Sequence, residues 1–172
     1  MSTSTTTADV VNAILGIDDT SPIAALRNQK PEQVAQLQHY YETLFQPAPY
    51  SAADLPVSVR ALVAVRVASH THSAAVVAWY ERVAADSGAT DEQIARARDL
   101  STPWTDDDVL GAAIRRADRV AVDPASTERE QIVDLEAAGL TPTAIVALSQ
   151  VIAFVAYQLR FVSILRALGG AA

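Results

Sequence analysis

The chain has no cysteine in its 172 residues. That absence excludes disulfides, thiolate nucleophiles, zinc–thiolate sites and any thiol redox relay carried by this chain alone. Positive charge is also in short supply: 13 Lys and Arg face 20 Asp and Glu, for a net charge of −7. Nucleic acids and anionic membranes need a cationic patch, so this balance argues against both as partners. Glycine is scarce at 6 residues, and no stretch shows strand-type alternation bounded by hairpin turns. The N-terminus, Met1 to Ala8, has neither a basic segment nor an apolar one, so it is expected to be a frayed tail on a cytoplasmic protein. No long clean apolar run is present either. Ile145 to Leu168 is interrupted by Ser149, Gln150, Gln158, Arg160 and Arg166, which reads as a buried helix rather than a membrane span.

What is abundant is helical period. Half of the residues are hydrophobic (50%) and 19% are charged, a composition for a folded core. Helix signals follow one another along the chain. Asp9 to Ile17 suits a short helix, and Ser21-Pro22 gives a cap with proline at the first helical position, leading to Asn28. Lys30-Pro31-Glu32 opens a longer helix through about Phe45, and Pro47, Pro49 and Pro56 mark a loop. A long helix is expected from Val57 to Ala85, stopping before Gly88. Thr90-Asp-Glu-Gln93 is a capping box for Asp91 to Asp99. Thr105 to Asp108 should begin a helix reaching Val120, with an acidic first turn and arginines at its end. Glu128 to Ala138 is a short helix, and Thr141-Pro142 caps the last one, to Leu168. A Gly-x-Thr-x-x-x-Ile echo links Gly88–Ile94 with Gly139–Ile145; a common helix–Gly–cap–helix junction explains it as well as a duplication would.

The expected architecture is all-α, an antiparallel helical bundle forming one domain over 9–172. Its N-terminal helices fall in 9–50 and its core in 55–168. The final helix carries Val151, Ile152, Phe154, Val155, Tyr157, Leu159, Phe161, Val162, Ile164 and Leu165, leaving little polar circumference. So apolar a helix calls for burial on several sides, and a homo-oligomer, at least a dimer, is expected to supply part of the cover.

Candidate chemistry lies on the Val57–Ala85 segment. On one continuous helix, Arg66, His70, Ser73, Val77 and Tyr80 form an i, i+4, i+7, i+11, i+14 row inside the apolar sector, with Ser69 beside it. Polar groups there must find partners or line a cavity. Two readings stay open. In the structural one, Arg66 pairs with a carboxylate of another helix, and His70 and Ser73 bond to backbone or water. In the functional one, Arg66 clamps an anion, His70 moves a proton and Tyr80 adds a second hydrogen-bonding group. A metal held by His70 and His72 is disfavoured, because residues i and i+2 point to nearly opposite sides of a helix. His39, followed by Tyr40-Tyr41, reads as packing. Ser73 as a nucleophile lacks flanking glycines and a local orienting acid. No cofactor is called for.

The segments Arg60–Ala68, His70–Arg82 and Gly88–Ile94, with Asp134–Ile145, Ile152–Arg160 and Ala167-Leu-Gly, resemble the carboxymuconolactone decarboxylase/AhpD-like family, over about residues 55 to 168. The N-terminal part, with Gly16-Ile17, Ser21-Pro-Ile-Ala-Ala-Leu-Arg27 and Lys30-Pro-Glu32, is similar to a subgroup that accompanies an alkylhydroperoxidase-like partner. The resemblance implies an AhpD-like helical fold. Redox members of that family carry a Glu, a Cys-x-x-Cys and a His that together activate a thiolate against peroxides. Those positions correspond here to Ala61, Ser73, Val76 and Tyr80. The resemblance therefore implies a scaffold without its thiol chemistry. Such a protein would bind a small organic ligand or a cysteine-bearing partner. Alternatively, it would run cofactor-independent acid–base chemistry on a small carboxylate or lactone, or serve purely as an oligomeric scaffold.

Overall fold

The computed structural model describes residues 9–48 and 54–169. The Met1–Ala8 tail and Pro49 lie outside them. Nine helices are present among the described residues, with no strand. They are α1 (Val10–Leu15), α2 (Pro22–Arg27), α3 (Pro31–Phe45), α4 (Val57–Ser69), α5 (Ala74–Asp86), α6 (Asp91–Arg98), α7 (Val109–Val122), α8 (Arg129–Ala137) and α9 (Pro142–Leu168).

The cap signals act as their chemistry dictates. Ser21 accepts from Ala24 N–H, Thr141 from Ala144 N–H, and Thr90 with Gln93 closes both arms of a capping box. The sequence echo has a local cause. Gly88 and Gly139 both take a left-handed conformation, at φ 92° and 100°. Ala89 N–H then reaches Ala84 C=O at 2.9 Å, and Leu140 N–H reaches Leu135 C=O at 3.1 Å. The end of α1 repeats the arrangement, with Gly16 at φ 68° and Ile17 N–H on Asn12 C=O at 3.1 Å. Three junctions share one Schellman-type geometry, which gives the two echo glycines a local helix-terminating role.

Two expectations are corrected. The helix proposed for Val57–Ala85 is interrupted. Thr71 N–H bonds Ala68 C=O and His72 N–H bonds Ser69 C=O, so the last turn tightens, and His72 enters the left-handed region at φ 55°. The run Ser69-His-Thr-His-Ser73 supplies the reason. The hydroxyls of Ser69 and Thr71 bond back to Val65 C=O and Ala68 C=O, competition with the backbone that weakens a helix interior. The chain folds back, and α4 and α5 form a hairpin of packed helices. The second correction concerns α7, which starts at Val109 instead of Thr105 and has no acidic residue in its first turn. Asp108 is its N-cap, accepting from Gly111 N–H at 2.7 Å.

The burial pattern centres on α4. Every residue from Arg60 to Ser69 is buried, and α3, α5, α6, α7 and α9 all pack against this helix. Arg60 enters the core because its guanidinium caps backbone: Nε donates to Leu55 C=O at 2.7 Å and Nη1 to Leu44 C=O at 2.9 Å. Burial lowers its pKa from the usual guanidinium value, against the opposing pull of Asp54. One buried cluster runs from Val10 and Val11 through Leu37, Tyr41 and Phe45 to Leu165, so the N-terminal helices share the core of the rest. The α9 helix is long and apolar enough to cross a membrane, yet half of its most apolar window is buried against the other helices (50%). Val146, Tyr157, Ile164 and Leu168 remain exposed along it.

Gly111 marks the tightest approach. A Cβ there would meet the Asp106 carbonyl oxygen at 2.0 Å, a backbone atom that cannot swing away. Gly111→Ala should therefore lower stability by roughly 1–3 kcal/mol despite alanine's better helix propensity. Gly169→Ala, with φ −71° and its nearest neighbour at 3.4 Å, should leave the melting temperature nearly unchanged. Paired thermal melts of the two variants check this.

Candidate functional site

Five polar residues were expected on one helix face; the interrupted helix separates them. Arg66 sits near the C-terminal end of α4, at the negative pole of the helix, and His70 caps that end. Ser73 is the N-cap of α5, half-buried, with no side-chain cap bond. Tyr80 lies further along α5 in the core. Ser69 is spent on Val65 C=O at 2.8 Å.

The residue that joins Arg66 to His70 comes from α7. Asp118 Oδ1 accepts from Arg66 Nε at 2.6 Å, and its Oδ2 accepts from Arg66 Nη2 at 3.0 Å. The third guanidinium nitrogen, Nη1, donates to Asp99 C=O. Arg66 is 3% exposed and Asp118 28%, so this is a bidentate pair with its cation inside the protein. Burying a guanidinium costs several kcal/mol, and the fork-to-fork geometry with the extra carbonyl offsets it. With all three nitrogens engaged, Arg66 is the paired residue of the structural reading and holds no free fork for a ligand.

His70 Nε2 lies 2.8 Å from the same Asp118 Oδ1. An ionised carboxylate accepts only, so Nε2 carries the proton and Nδ1 keeps the free lone pair. The ring is 21% exposed and no hydrogen bond reaches Nδ1 among the described residues. The arrangement is an aspartate orienting a histidine, with an arginine fixing the aspartate.

His70 also lines a cleft of about 660 Å³ between the end of α4, the C-terminal half of α7 and the middle of α9. Val67, Val120, Ile152 and Leu159 give it an apolar wall, while Thr71, Ser149, Arg116 and Arg160 add polar groups. Arg66, Ser73 and Tyr80 are not among its lining residues. The tools for acid–base work on a bound molecule are thus His70 and Asp118, together with the two arginines on the walls.

Tyr80 belongs to a separate buried pair. Its hydroxyl donates to Gln158 Oε1 at 2.7 Å, both residues are 0% exposed, and Gln158 Nε2 has no partner among the described residues. The Phe45 ring packs on Tyr80 with centroids 5.0 Å apart. Burial, with the nearby Tyr41 adding to it, holds the Tyr80 hydroxyl well above its ordinary pKa. Of the other histidines, His39 is exposed on α3 instead of packed, and His72 is exposed in the turn.

Asp118 is the residue that sequence reasoning missed. It follows Gly111 and Ile114, both buried, at i+7 and i+4, so it stands in phase with the buried face of α7 in a stretch otherwise holding Arg115, Arg116 and Arg119. A lone acid on a core-facing register was the available signal. No family model, curated protein or solved structure matches this chain.

Two outcomes test these contacts. Arg66→Met should cost roughly 3 kcal/mol, the lower end for a broken buried pair because Asp118 is partly exposed. Adding Asp118→Leu should recover part of that loss in a double-mutant cycle read by denaturant unfolding. For Tyr80, the folded chain keeps the phenol neutral while the unfolded chain ionises near pH 10. Its contribution is therefore complete below that pH and is lost progressively as pH rises from there toward the higher folded-state pKa. Ultraviolet titration should show this tyrosine ionising only as the protein unfolds, and Tyr80→Phe should flatten that part of the alkaline stability curve.

Proposed function

We propose that the chain is a non-redox, small-molecule-binding protein of the carboxymuconolactone decarboxylase/AhpD-like kind, with its ligand seated in the cleft beside His70. The carrying observation is that cleft: about 660 Å³, apolar-walled, and touched by a histidine that an aspartate orients. These are the usual features of a ligand site. Its working residues differ from the four first singled out. His70 keeps its role, Asp118 joins it, Arg66 becomes the group that positions Asp118, and Ser73 and Tyr80 lie away from the cleft lining.

A second reading, acid–base catalysis without cofactor on a small carboxylate or lactone, is favoured by the 2.8 Å contact between His70 Nε2 and Asp118. Asp118 fixes the tautomer and stabilises the imidazolium once Nδ1 has taken a proton. Arg66 holds Asp118 in place, and the apolar wall excludes water from the bound molecule. Nδ1 then returns the proton to the product.

The exposed Val146, Tyr157, Ile164 and Leu168 of α9 support self-association or docking of a cysteine-bearing alkylhydroperoxidase-type partner. This reading keeps the chain in a cytoplasmic setting, and its net charge of −7 speaks against nucleic acid or an anionic membrane as partner.

His70→Gln separates the readings. Its ring is partly exposed and makes one polar contact, so the unfolding free energy should fall by no more than about 1 kcal/mol and the melt should change little. Turnover of an accepted substrate should fall at least about 100-fold. Loss of ligand binding with an unchanged melt would leave a binding protein only. A destabilised fold, with no ligand in the cleft for the parent chain, would leave the scaffold.

A further inference from the structure

The cleft's charge is at odds with that of the chain. The protein is acidic, at net −7, yet its cleft is lined by Arg116, Arg160 and His70 with no Asp or Glu. Neither arginine has a carboxylate partner among the described residues. Arg116 donates to the neutral Gln131 Oε1 and to Thr127 Oγ1, at 2.5 and 3.0 Å. Arg160 donates to Ala156 C=O of its own helix at 2.9 Å. Of the acids beside the cleft, Asp118 is paired with Arg66, and Asp123, exposed between the lining residues Val122 and Pro124, accepts from Ala125 N–H outside the lining. The contrast with the adjoining cavity between α7 and α8 is direct. That space, about 340 Å³, also touches Arg115, Arg116 and Arg119, but it faces Asp107 and Asp134.

We propose that the cleft selects an amphipathic monoanion, with its carboxylate held by Arg116 and Arg160 and its apolar body laid against Val67, Val120, Ile152 and Leu159. This rests on the reading of the cleft as a ligand site and adds the class of molecule it takes. The two arginines come from facing helices, α7 and α9, and Arg160 is exposed. The head group therefore stays at the solvent side while the body fills the apolar wall. Burial, and secondly the charge of Arg119, lower the Arg116 guanidinium from its usual value, so an arriving anion relieves a cation short of compensation. A compact dianion would leave the apolar wall uncovered, and a cation would meet like charges.

The test uses four probes on the full chain by isothermal titration, with amide shifts mapping the site: octanoate, octanol, octylamine and succinate. Octanoate should bind in the cleft at least about tenfold more tightly than each of the others, the size of one charge-assisted hydrogen bond. Arg116→Gln should remove that preference and leave octanol binding unchanged, Arg116→Lys should retain part of it, and Arg160→Gln, at an exposed position, should weaken octanoate alone. Equal binding of octanoate and octanol, insensitive to either arginine, would overturn the anion selectivity while leaving the cleft a ligand site. Preference for succinate would overturn the amphipathic body. No shift at cleft residues with any probe at millimolar concentration would overturn both this inference and the reading beneath it. Because Arg116 also ties α7 to Gln131, Arg160→Gln keeps the test decisive if Arg116→Gln fails to fold.

Discussion

A guanidinium inside the protein sets the terms for everything around it. Arg66, 3% exposed, can remain on the most buried helix only because Asp118 meets its fork with both oxygens and Asp99 gives a carbonyl to the third nitrogen. Three separate stretches of chain must be in place for that to happen: the end of α4, the chain just past α6, and the middle of α7. The same carboxylate oxygen that receives Arg66 Nε also receives His70 Nε2. The ion pair that satisfies the core is thus what fixes the histidine at the cleft, and a structural need and a chemical capability are met by one residue.

The second constraint is the turn between α4 and α5. An uninterrupted helix would have carried His70, Ser73 and Tyr80 along one face. Instead, Ser69 and Thr71 turn their hydroxyls onto the backbone and His72 takes a left-handed conformation. The strain of a non-glycine residue there is modest. It places His70 at a helix end, partly exposed beside a cleft, where an imidazole can meet both solvent and a bound molecule. Tyr80, on the returning helix, is left to satisfy Gln158 in the core.

Much of the fold was legible because it is written in local chemistry. The caps at Ser21, Thr90 and Thr141, the stops at Gly88 and Gly139, and the apolar period of α3 and α9 all depend on residues within a turn or two of one another, while the first helix ends at Gly16 and not at Ile17 as expected. The later start of α7 is local as well: Asp108, the last of four candidate capping residues, takes Gly111 N–H, and Asp106 lies against Gly111 in the turn before it. The assignment of the most enclosed helix was non-local. Composition pointed to α9, but α4, with smaller side chains such as Ala61, Ala64 and Ala68, can be approached by five neighbours at once. The longer, bulkier α9 keeps an exposed apolar side.

By itself the sequence determined that the chain is helical, where most of its helices start and stop, that it holds no thiol, and that Arg66 and His70 needed partners. Those follow from backbone capping, periodicity and the cost of burying polar groups, which are properties of neighbours along the chain. Only the tertiary structure decided that Asp118 is the shared partner, that Ser73 and Tyr80 stand apart from it, and that two arginines with no carboxylate partner among the described residues flank an apolar cleft in an acidic protein. Those relations join residues dozens of positions apart. They arise from how helices pack, and local sequence rules do not reach that far.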